Sequence, residues 1–71
     1  MILEVKYDSN DEPITLKTNA ITADGDIKAR IKLLQQYKRQ GYTLVKDKFW
    51  IQLTGKIATI DDYIRETRSY L

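Results

Sequence analysis

The chain has 71 residues, 31% charged and 42% hydrophobic, with a formal net charge of +2 and neither cysteine nor histidine. A chain this short supports one small core and reads as a single domain over residues 1–71. The missing Cys and His exclude disulfides, thiol chemistry, a zinc site and His-based acid–base or nucleophilic dyads.

From Leu3 the N-terminus alternates with period two, placing Leu3, Val5 and Tyr7 on one side of a strand. Asp8-Ser9-Asn10-Asp11-Glu12-Pro13 is turn-forming, and Ile14, Leu16 and Thr18 then alternate with Thr15, Lys17 and Asn19. The two runs predict a β-hairpin with Pro13 opening its second strand, where a missing donor is tolerated.

Asp24-Gly25-Asp26 supplies capping carboxylates for a helix expected from about Asp26 to Gln40. Ile27, Ile31, Leu34 and Tyr37 share its apolar stripe, with Leu33 at the edge. Lys38 and Arg39 suit the negative end of its dipole, and Gly41 follows as a left-handed C′ residue.

Tyr42-Thr43-Leu44-Val45 predicts a third strand, Lys46-Asp47-Lys48 a tight turn, and Phe49 to Thr54 a fourth strand ended by Gly55. In that reading Phe49, Ile51 and Leu53 face one way and Trp50, Gln52 and Thr54 the other. Thr59 then caps a closing helix, with Asp62 three residues on. Ile60, Tyr63, Ile64, Thr67 and Leu71 recur at helical spacing.

The order ββαββ(α) predicts an α+β fold. Its four-stranded sheet is β-grasp-like, with one long helix across one face and a C-terminal helix after it. A plait-like sheet completed by a second chain is the alternative arrangement. The expected core is Leu3, Val5, Ile14, Leu16, Ile27, Ile31, Leu34, Leu44, Phe49, Ile51 and Leu53.

Two stretches resemble the mucin-binding repeats of lactobacillal cell-surface proteins. One runs from Val5-Lys6-Tyr7-Asp8 to Pro13-Ile14; the other spans Ile31 to Asp47 and contains Gln40-Gly41-Tyr42-Thr43-Leu44-Val45. The resemblance implies a β-grasp module and, in function, a mucin or glycan adhesion repeat. It stops after Thr54, where a capped helix replaces that family's acidic closing strand region.

Charge is distributed unevenly: residues 1–26 sum to −4, residues 27–60 to +7 and residues 61–71 to −1. Lys28, Lys32 and Arg39, with Gln35 between them, form a basic stripe along the long helix that can track phosphates. Lys46 and Lys48 extend this set, which suits a nucleic-acid-binding accessory protein. The bland alternative is a solvated helix face rich in good helix formers. The carboxylates Asp61, Asp62 and Glu66, like Asp24, Asp26, Asp8, Asp11 and Glu12, are read as capping and turn residues.

Alternation places Trp50 on the side of the sheet opposite Phe49, Ile51 and Leu53, near Val45. An exposed Trp there anchors a protein interface. Alternatively the closing helix covers it, within the chain or within a dimer. No glycine-rich phosphate loop and no activated nucleophile pair occurs, so neither an enzyme nor a cofactor is implied.

The function expected is a non-catalytic, homodimeric binding module that contacts protein through Trp50, Val45, Tyr63, Ile64 and Tyr70. Nucleic acid is the alternative partner. No apolar run approaches the ~20 residues that cross a bilayer, so no membrane insertion is expected. Met-Ile-Leu-Glu-Val-Lys at the start is no signal peptide. A cytoplasmic location is expected for a complete gene product, and an extracellular one for a repeat excised from a surface protein.

Overall fold

Helix punctuation, rather than alternation, decides most of the chain. The computed structural model describes residues 1–18 and 23–71, in the order β1 (Ile2–Glu4), α1 (Ala23–Arg39), β2 (Leu44–Lys46), α2 (Lys48–Thr54), β3 (Ala58–Thr59) and α3 (Ile60–Arg68). The fold is α+β, with three helices and a three-stranded mixed sheet among the described residues. The expected four-stranded β-grasp-like sheet is not formed.

The sheet runs β1-β2-β3. β1 pairs in parallel with β2 in the register Ile2↔Leu44, Leu3↔Val45 and Glu4↔Lys46. The parallel pair needs a long crossover, and α1 lies within it. β2 pairs antiparallel with β3 through Leu44↔Thr59 and Val45↔Ala58. Side chains alternate across the sheet, so Leu3, Val5, Val45 and Ala58 are buried on the face beneath the helices. Ile2, Glu4, Lys46 and Thr59 are exposed on the opposite face.

α1 and α3 pack on each other over the covered face of the sheet. Ile31 and Leu34 from α1, with Ile60 and Ile64 from α3, close the core above Leu3, Val5, Leu16, Val45 and Ala58. The end of α1 follows expectation. Gly41 takes φ +107, a value that L side chains rarely adopt, and its amide donates to the Lys38 carbonyl. The amide of Asp62 donates to Thr59 Oγ1 at 3.2 Å, capping α3 where the sequence places its start. The cap expected of Asp24 lies outside the described side chains. Asp26, inside the first turns of α1, pairs with Arg30 at 2.8 Å and accepts from Thr18 Oγ1 at 2.5 Å.

Three local expectations are corrected. Residues 48–54, expected as a fourth strand, form α2. Asp47 Oδ1 accepts the Phe49 amide at 2.9 Å, and Gly55, left-handed at φ +78, donates to the Ile51 carbonyl at 2.7 Å. An N-cap and a C-cap with seven residues between them outweigh the apparent period of two, which a short apolar run cannot settle. In consequence Leu53, expected in the core, is 88% exposed, Phe49 is exposed and Ile51 is half-buried.

The hairpin is reduced to one antiparallel bridge, Tyr7↔Pro13. Asp8 Oδ1 accepts the amides of Asn10 and Glu12, so the reversal is built on a side chain. Thr15 then covers the edge of β1, accepting the Lys6 amide at 2.8 Å and donating to the Glu4 carbonyl. The chain turns away after Ile14, leaving that residue 51% exposed while Leu16 is buried. The part of the expected second strand at Asn19 lies outside the described residues. β3, finally, is a strand that no alternation signalled, because it is two residues long.

Leu34→Ala, at a fully buried position of α1, should lower unfolding free energy in urea by about 2–5 kcal/mol. Leu53→Ala should change it by no more than ~0.5 kcal/mol, since the residue is on a helix surface rather than in a core strand.

Candidate functional site

Asp47 is the buried charged residue among the described residues, at 5% exposure. It sits at the junction of β2 and α2. Its Oδ1 accepts the Tyr7 hydroxyl at 2.5 Å together with the Phe49 amide, and its Oδ2 accepts the Tyr63 hydroxyl at 2.5 Å. One carboxylate therefore binds the N-terminal arm, the first turn of α2 and the middle of α3. A buried carboxylate is tolerated only when its lone pairs are taken, and here three donors take them.

Burial, followed by the hydrogen bond to Asp47 and repulsion from its charge, raises the Tyr7 and Tyr63 hydroxyls well above the ordinary phenol value. They stay protonated donors, so neither is a ready base, and Asp47 is occupied as their acceptor. The triad is a clasp in which one carboxylate accepts from both phenols.

Aromatic contacts repeat the same connections. Phe49 meets Tyr7 edge-on at 4.9 Å between ring centroids, and Trp50 meets Tyr63 at 5.8 Å. Lys48 Nζ stands 5.0 Å from the Tyr7 ring centroid and 4.9 Å from that of Phe49, and it pairs with Asp11 at 3.2 Å. α2 has no buried residue of its own, so these side chains attach it to the rest of the fold.

Between α2 on one side and α1, α3 and residues 11–16 on the other lies a groove of ≈ 700 Å³. Tyr7, Phe49, Trp50 and Tyr63 line it, with Leu16 and Ile27 deeper and Leu53 and Tyr70 at the rim. Arg30 and Glu66 are its charged walls. The Arg30 Nε is enclosed without a hydrogen-bond partner, although the same guanidinium pairs with Asp26.

The structure brings three of the five expected protein-binding residues together: Trp50, Tyr63 and Tyr70 all border the groove. The other two are buried in the core. Val45, expected beside Trp50 on an open sheet face, is fully buried on the covered face, and Ile64 is buried under α1. Trp50 is half-buried because α3, through Tyr63, partly covers it within the chain.

The basic residues are also divided. Lys28, Lys32 and Arg39 are exposed on α1, whereas Lys46 lies on the opposite, open face of the sheet and Lys48 is engaged by Asp11 and two rings. Sequence reasoning missed Asp47, Tyr7, Phe49, Leu53 and Arg30 as site residues. The signal for Asp47 was available: Asp47 and Gly55 bracket residues 48–54 as a helix cap and stop.

No family model matches the chain, and no curated protein or solved structure matches it. Among the described residues no helix is long and apolar enough to cross a membrane.

Two outcomes are expected of the clasp. Asp47→Ala orphans two partly buried hydroxyls at about 1–3 kcal/mol each and removes a cap worth about 1 kcal/mol, so urea denaturation should show a large loss. The phenols have folded-state values raised above the ordinary 10.0, so the unfolded chain gives up these protons first. Stability should therefore be level with respect to these groups below about pH 10 and fall as pH rises above it. Denaturation at pH 8 and pH 11 should show that fall in the native chain and a smaller one in Tyr7→Phe/Tyr63→Phe.

Proposed function

We propose that the chain is a non-catalytic binding module whose groove receives an apolar protein segment, and that the segment comes from a second copy of the same chain. The observation that supports this reading is Leu53, a leucine 88% exposed at the rim of an aromatic-walled groove, with Tyr70 67% exposed at the same rim. Single exposed apolar side chains are ordinary, but here they border one concavity of ligand-binding size. Trp and Tyr supply large contact area at low entropic cost and are enriched where interfaces concentrate their energy.

A self-association of this kind suits the size of the chain. A 71-residue fold without disulfides buries limited apolar surface, and covering Leu53, Tyr70 and Phe49 in a dimer adds to it. Two of the groove's carboxylates are already engaged, Asp47 by the tyrosines and Asp11 by Lys48, and the aromatic walls supply the contact area.

Sedimentation across a concentration series is expected to show a monomer–dimer equilibrium. Leu53→Asp should weaken dimerisation by ~10-fold or more, about 1.4 kcal/mol, while leaving the circular dichroism spectrum unchanged. Trp50 fluorescence should become less accessible to a soluble quencher as the dimer forms. A protein that stays monomeric at high concentration, with Trp50 equally quenchable throughout, contradicts the reading.

A further inference from the structure

α3 has two flanks of opposite character. Tyr63, Glu66 and Thr67 face the groove, and Tyr70 joins them from just beyond the helix. On the other flank Asp61, Ile64, Arg65 and Arg68 meet Gln35 and Lys38 of α1 across a second cleft of ≈ 430 Å³. Gln35 also belongs to the exposed stripe of α1 that holds Lys28, Lys32 and Arg39, positions that fall within about 60° of one another around the helix. The cleft and the stripe thus form one continuous surface across two helices.

That surface carries six cations: Lys28, Lys32, Lys38, Arg39, Arg65 and Arg68. Two carboxylates stand among them, Asp61 paired with Lys38 at 2.5 Å and Asp62 paired with Arg65 at 3.4 Å. The surplus of four positive charges is larger than the +2 of the whole chain, so the rest of the molecule is net negative. Folding has therefore segregated charge. The six cations lie outside the cleft in which Asp8 and Glu12 of the acidic turn meet Arg30 of α1.

The geometry points to a duplex nucleic acid as the partner of this α1–α3 face, held through its phosphates. Cations spaced over two helices match a regular array of phosphate charges. The exposed large apolar side chains among the described residues all lie outside α1 and α3, which leaves nothing here to insert into a lipid surface. This flank presents no exposed aromatic ring either, so the base stacking that holds single strands is missing. Contact confined to phosphates reads backbone shape with little sequence preference. The surface is separate from the groove and does not depend on what the groove binds. It also differs from the set suggested by sequence, since Lys38, Arg65 and Arg68 replace Lys46 and Lys48.

Fluorescence anisotropy with labelled DNA and RNA duplexes of about 20 base pairs tests this, with a single strand of equal length and phosphatidylglycerol vesicles as competitors. Binding at low salt is expected, with log K falling against log salt with a slope of about −3 to −4, as about four cations free of ion pairs imply. Lys28→Glu/Lys32→Glu and Arg65→Glu/Arg68→Glu should each weaken binding ~10-fold or more at low salt and flatten that slope. Lys46→Glu/Lys56→Glu should change it little. All three pairs are exposed, and circular dichroism confirms folding before binding is compared. No duplex binding at about 20 mM salt overturns the proposal. So does equal loss from the Lys46/Lys56 variant, or tighter binding to the single strand or the vesicles.

Discussion

One buried carboxylate organises this small fold. Asp47 ends β2, caps α2 and accepts both Tyr7 and Tyr63, so three segments distant in sequence meet at two oxygen atoms. The arrangement is costly to bury and correspondingly specific: the charge is tolerated only while all three donors remain in place. Without it, α2 would be joined to the rest of the fold by two ring contacts and a lysine.

The rest of the surface follows from how α1 and α3 lie side by side on the sheet. Each helix turns one edge toward α2 and another toward the cleft between the helices. The first edge brings Ile27 of α1 and Tyr63 of α3 to the groove, and the second carries Lys38, Arg65 and Arg68. A chain of 71 residues thus presents an apolar surface and a cationic one that share helices but not residues. The two proposed contacts, a protein segment on one flank and a polyanion on the other, would therefore use separate residues.

The elements with strong local punctuation were legible in the sequence. Ile31, Leu34 and Gly41 mark α1 and its end, and Thr59 marks the start of α3, because periodicity and caps act within a few residues. Residues 48–54 were misread because Phe49, Ile51 and Leu53 alternate over too short a stretch to separate strand from helix. The caps at Asp47 and Gly55 carried the better signal. Val45 was assigned to the wrong face as a consequence, since its surroundings depend on which segment pairs with β2. That partner is β1 in parallel on one side and the two-residue β3 on the other, and such short pairings leave almost no trace in sequence. The Asp47 clasp was illegible for a different reason: it joins residues 7, 47 and 63, and only the folded chain brings them together.

Amide hydrogen exchange across α2 tests the organising role of Asp47 most directly. In the native chain the amides of Ile51 and Gly55, bonded to the carbonyls of Asp47 and Ile51, should be protected. In Tyr7→Phe/Tyr63→Phe, which strips the carboxylate of its side-chain donors, exchange at residues 49–55 should accelerate by ~10-fold or more while α1 and α3 keep their protection. Amides of α2 that exchange as freely as an unfolded peptide in the native chain, or equally in both proteins, would contradict the account.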